Sequence, residues 1–140
     1  MQDTIINKVE KVLSEVRIKY GVLDRAFTSA DFYRICEGEN IFLMGRNLNL
    51  PKRLVKDIRR IQGCYVRNKE GEKFIFLESF WARKIDLFVA FHELGHHFMG
   101  HSVPAYKASA KQIVVRNKVH EAEADAFAEL ASGGLRREGK

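Results

Sequence analysis

Two histidines four residues apart, in the run His92-Glu93-Leu94-Gly95-His96, fall on the apolar stripe of a segment with helical spacing. At 100° per residue, counted from Ile85, Phe88, Val89, His92, His96 and Met99 all lie within about 40° of one line. That stripe is the face a helix buries, so any fold this chain adopts has to take two imidazoles into its interior. Left unsatisfied there, the rings would cost free energy. One turn apart, with about 6 Å of rise between them, each can aim a nitrogen at a single ion, and zinc would satisfy both.

The neighbours of the pair fit that chemistry. Glu93 lies about 100° round the helix from His92, off the ligand line but beside it, where a carboxylate reaches an activated water without occupying the metal. This is the position of a general base. Gly95 costs about 1 kcal/mol relative to alanine inside a helix, which implies that another backbone passes close by. A catalytic zinc needs a third protein ligand and an open fourth position. A second helix over residues 118–131 offers Glu121, with Asp125 about 40° away and Ala124 and Ala128 at about −60° and −20° on the same face. Glu123 points about 160° away, and one helix cannot aim both glutamates at one ion. Glu121 is therefore the expected third ligand of one zinc per chain, and Asp125 the acceptor for the outer N–H of a ligand imidazole. His97, about 120° off the line, reads as a surface residue, and His101 as a favourable end to the helix dipole. Tyr106 and His120 are the nearest candidates for stabilising an oxyanion.

Around this pair the pattern is that of one α+β domain over residues 1–134, followed by a basic tail at 135–140. Helical stripes cover residues 5–20 and, after a Thr28 or Ser29 cap, 30–37; a short buried strand follows at 41–44. Residues 50–62 read as a helix with Lys52, Arg53, Lys56, Arg59 and Arg60 on its polar face. Residues 64–67 and 73–77 form a hairpin around the turn at 68–71, and helices at 82–100 and 118–131 complete the chain. The expected architecture is scaffold helices, a small antiparallel sheet and a two-helix metal site. Phe74, Ile75, Phe76 and Leu77 read as core, Phe80 and Trp81 as anchors of the site helix, and an edge of the sheet as a place for an extended substrate to add a strand.

Hydrophobic residues at 46% and charged residues at 30%, with only 2 prolines, exclude a disordered or fibrous chain. No apolar run approaches the roughly 20 residues that span a bilayer, and the first ten residues lack the pattern of a secretory signal, so a cytoplasmic protein with no membrane partner is expected. Cys36 and Cys64, without CxxC spacing, are expected as buried thiols. The net charge of +6 suits a polyanionic partner without specifying one.

His92-Glu93-Leu94-Gly95-His96, followed by Glu121-Ala-Glu-Ala-Asp125-Ala-Phe127-Ala128, resembles the ImmA/IrrE family of zinc metallopeptidases. The resemblance implies a zincin-like domain in which His92, His96 and Glu121 bind zinc, Glu93 is the base and Asp125 is a companion of the ligands. It also implies an endopeptidase that cleaves a repressor-like regulatory protein, such as a DNA-bound repressor, in the bacterial cytoplasm. Family members often carry a histidine eight residues after the first of the motif, where this chain has Gly100 followed by His101. The rival reading is a non-catalytic, zinc-stabilised module or pseudo-peptidase whose basic face of Lys52, Arg53, Lys56, Arg59 and Arg60 binds a protein or nucleic acid.

Overall fold

The computed structural model describes residues 2–45, 63–67, 70–77, 85–101, 103–104 and 118–133. Helix α1, Gln2–Tyr20, buries Val9, Leu13 and Val16 and half-buries Ile5 and Val12, the stripe expected from their spacing. Helix α2, Ser29–Gly38, starts from a capping box: the Asp31 N–H donates to the Thr28 hydroxyl at 3.3 Å, and the Thr28 N–H donates to the Asp31 carboxylate at 2.8 Å. Its Phe32, Ile35 and Cys36 face inward. Helix α3, Leu87–Phe98, is shorter than the expected 82–100, because the Asp86 side chain accepts the Val89 N–H at 3.1 Å and caps the helix there. Residues 82–84 lie outside the described residues. Helix α4, Lys118–Ala131, has the expected bounds.

Strands β1 (Ile41–Met44), β2 (Gly63–Arg67), β3 (Lys73–Leu77) and β4 (Val103–Pro104) form one sheet in the order β1-β3-β2-β4. The β2–β3 hairpin is antiparallel with Tyr65 opposite Ile75, but β1 runs parallel to β3 and β4 parallel to β2. The sheet is thus mixed, not antiparallel as expected. The two hairpin arms are the buried strands, with Gly63 to Val66 of β2 and Ile75 to Leu77 of β3 out of water, and both take central positions, β1 lying on the edge beside β3 and β4 on the edge beside β2. The basic segment at 50–62, Phe80, Trp81, Tyr106 and the tail at 135–140 lie outside the described residues.

The core gathers between the helices and one face of the sheet. Phe91 of α3 meets Phe27 and Phe32 with ring centroids 5.3 and 5.8 Å away, and Phe98 stacks on Phe127 of α4 at 5.9 Å. Burying each such ring contributes roughly 2–3 kcal/mol. Cys36 and Cys64 are both buried, and no disulfide joins them. Burial pushes the Cys36 thiol up to about 12, which leaves it inert. Among the described residues no helix is long and apolar enough to cross a membrane.

The capping box also sets an acid limit on stability. The Arg25 guanidinium, then the Thr28 and Arg34 donors, hold the Asp31 carboxyl well below the usual carboxylate range against the opposing effect of burial. A carboxyl depressed in the folded state stabilises above its unfolded pKa, and that contribution is lost as pH falls through the folded value. Asp31→Asn is therefore expected to lower stability by about 1 kcal/mol at pH 7, with the gap from wild type closing below about pH 4. Urea unfolding at pH 7 and pH 3 measures both gaps, and equal gaps would contradict this.

Candidate metal centre

Helix α3 carries His92 and His96 one turn apart, and α4 carries Glu121 and Asp125 one turn apart on the facing side. The Gly95 backbone lies between them. A methyl group at Gly95 would sit 3.0 Å from the Phe127 Cβ and 3.2 Å from the Ala124 Cα, so the two helices approach to near backbone contact. That approach brings the polar groups together. His92 Nε2 and His96 Nε2 are 3.1 Å apart, and the Glu121 carboxylate straddles them, with Oε1 3.0 Å from His92 Nε2 and Oε2 3.0 Å from His96 Nε2. A tetrahedral ion with bonds of about 2.0–2.1 Å spaces its ligand atoms about 3.3 Å apart, close to these separations. His92, His96 and Glu121 form a group that could hold a metal ion. Two imidazoles and one carboxylate are a donor set that suits zinc.

Behind these atoms lie further partners. His92 Nδ1 donates to the Asp125 carboxylate at 2.8 Å, so the ring turns Nε2 toward His96 and Glu121. His96 Nδ1 is 3.1 Å from His101 Nδ1, and His101 Nε2 donates to the Glu123 carboxylate at 2.7 Å. Glu123 also accepts from Lys8 of α1 at 2.9 Å. His120 stacks on His101 with ring centroids 3.8 Å apart. Glu93 is buried against β2, where a methyl group added to Gly63 would come within 3.1–3.2 Å of its side chain. No family model matches this chain, and neither do the curated proteins or the solved structures.

Two expectations for the histidines need correction. His101 does close the helix end, its N–H donating to the His96 carbonyl at 2.7 Å, but its ring is 7% exposed and bonded to His96 and Glu123. Gly100, at φ 82°, takes the left-handed conformation that lets the chain turn back and lay the ring beneath α3. His97 is not a surface residue either. Its Nε2 donates to Glu39, just past the end of α2, at 2.9 Å, and its Nδ1 accepts from the Tyr65 hydroxyl at 2.9 Å. Glu123 does point away from Glu121, as expected, and yet is buried. The one sequence signal for this outer layer is the adjacency of His101 to Gly100, a residue type that ends helices and reverses the chain.

Charge explains what holds the cluster together. Burial disfavours a charged imidazole at His92, but the Asp125 and Glu121 carboxylates outweigh it and raise its pKa to about 9. Burial acts in the opposite sense on Glu121, and the two imidazoles overcome it to hold that carboxyl well below the usual range. Burial, with His120 and His96 nearby, keeps His101 below the ordinary histidine value despite Glu123. Burial likewise lowers His97 despite Glu39. Glu39 itself falls to about 2, because Lys19, Tyr20 and His97 together outweigh its burial.

A site that holds a proton on His92 near neutrality has to release it when a metal binds, since only neutral imidazole ligates. Zinc titrations at pH 7 in buffers of different ionisation enthalpy are expected to show about one proton released per ion, and no buffer dependence would contradict this. Gly95→Ala tests the helix contact. Its gain in helix propensity of about 1 kcal/mol is outweighed by overpacking against backbone, so thermal unfolding should show a net loss of about 1–2 kcal/mol. By spreading α3 from α4 it should also weaken zinc binding about tenfold in a chelator competition.

Proposed function

We propose that this chain is a zinc-dependent endopeptidase of the ImmA/IrrE kind, with a zincin-like fold, acting in the cytoplasm on a repressor-like regulatory protein. The observation that carries this reading is the convergence of His92, His96 and Glu121 with Glu93 placed next to His92. Two histidines and one glutamate are a ligand set of zinc peptidases, which keep a fourth position open. The HELGH motif and the glutamate-aspartate run of α4 support the family resemblance.

Zinc held by these three side chains would supply Lewis acidity and lower the pKa of a water beside it. His92, Glu121 and His96 would hold the ion, and Asp125 orients the His92 ring. Glu93 takes the proton of the attacking water onto a carboxylate oxygen and returns it to the amine that leaves the cleaved peptide bond. Gly63 leaves room for that side chain beside β2. The substrate class rests on the resemblance to the family.

Zinc-loaded wild type and Glu93→Gln, each checked for metal per chain, are incubated with a peptide library made from a bacterial proteome. Mass spectrometry then counts new amino termini. Glu93→Gln should keep one zinc and lose at least about 10²-fold in the rate at which termini appear. A zinc-stabilised module without turnover would make the two proteins indistinguishable, and that result would overturn the proposal.

A further inference from the structure

We infer that His101 and Glu123 are positioning residues of the metal centre, a relay that fixes which nitrogen of His96 carries the proton and so which one faces the ion. The inference rests on the metal reading above and extends it to residues that do not touch the ion. Hydrogen-bond donors and acceptors decide the direction of the relay. The Glu123 carboxylate can only accept, so the His101 nitrogen 2.7 Å away, Nε2, carries the hydrogen. In the neutral ring the other His101 nitrogen, Nδ1, is then a lone-pair acceptor. It faces His96 Nδ1 at 3.1 Å, and that nitrogen has to supply the hydrogen between them. His96 is thereby held as its Nδ1–H tautomer. The lone pair of Nε2 is left pointing at the ligand cluster, where His92 Nε2 is 3.1 Å and Glu121 Oε2 3.0 Å away.

Burial and anchoring give the relay its rigidity. His96 is 2% exposed, His101 7% and Glu123 3%, so water does not replace these partners easily. Glu123 is held from the far side by Lys8 of α1 at 2.9 Å, and His101 is braced by the stacked ring of His120. The relay uses the side of α4 that points away from the ion. Glu121 and Glu123, two residues apart, thus serve the same centre from opposite directions, one directly and one through His101. His92 has the simpler arrangement, with Asp125 as a direct carboxylate partner. Partners of this kind change metal affinity by roughly 10–100-fold when removed.

Four proteins test this by zinc affinity in a chelator competition, with circular dichroism confirming the fold: wild type, His101→Phe, Glu123→Leu and Glu123→Gln. His101→Phe keeps a ring to stack on His120 but has no nitrogens, and Glu123→Leu removes the acceptor. Each should bind zinc about 10–100-fold more weakly. Glu123→Gln keeps a carbonyl acceptor for His101 and should stay within about threefold of wild type, a rescue that a purely packing role would not produce. Long-range ¹⁵N–¹H spectra of the wild-type imidazoles add a reading that needs no variant to fold, with His101 expected as the Nε2–H tautomer and His96 as Nδ1–H. Wild-type affinity in His101→Phe, or His101 found as the Nδ1–H tautomer, would overturn the relay while leaving the metal centre standing. If wild type itself takes up no zinc, the metal centre and the relay fall together.

Discussion

The near contact of α3 and α4 at Gly95 is the constraint on which the rest of the structure depends. With a methyl group there the helices could not stand as they do against Ala124 and Phe127. Two helices usually pack with axes 8–10 Å apart, the small side chains at a contact setting the lower end. Here Gly95, Ala124 and Ala128 are the small residues, and their size is what lets short polar side chains on facing helices share one point. The helix propensity that Gly95 forgoes is thus offset by the alignment of His92 and His96 with Glu121 and Asp125.

From that contact the polar groups run outward without a break. Asp125 and Glu121 bond to His92, whose Nε2 lies 3.1 Å from His96 Nε2; His96 bonds to His101, His101 to Glu123 and Glu123 to Lys8, so the chain ends at solvent on α1. A second set, Tyr65, His97, Glu39 and then Lys19 with Tyr20, ties α3 to the sheet and to α1. Buried ionisable groups of this sort are stable only when each finds partners, and both sets meet that condition by ending in a lysine with its head in water. The two networks leave α3 on neighbouring residues, His96 and His97, in different directions. One therefore shapes the candidate metal centre while the other holds the scaffold around it.

Much of this was legible in the residues themselves. The stripe of α1, the Thr28 cap, the hairpin pairing and the face of α4 follow from local spacing and hydrogen-bonding chemistry, and each occurs where those rules put it. So does the close backbone implied by Gly95. The sheet was less legible because β1 finds its neighbour across a long stretch of chain, and spacing within a strand does not say whether that neighbour runs parallel. His97 and His101 are hard to place from sequence for a related reason. A helical wheel places a side chain relative to its own helix, and it contains neither the Glu39 that reaches over from the end of α2 nor the reversal at Gly100 that returns His101 to the core. The inner cluster was visible because its members lie on two helices. The outer layer was not, since Glu123 of α4 and His97 of α3 find partners on other elements: His101 in the turn after α3, Lys8 of α1, Glu39 past the end of α2 and Tyr65 of β2.

Zinc K-edge X-ray absorption of the zinc-loaded protein tests the central claim most directly, because it reports the identity of the atoms around the ion. The account predicts nitrogen and oxygen ligands alone at about 2.0–2.1 Å, with the multiple-scattering signature of two imidazoles. A sulfur shell at about 2.3 Å, or a count of imidazoles other than two, would show that the ion is not held by His92, His96 and Glu121 and would contradict it.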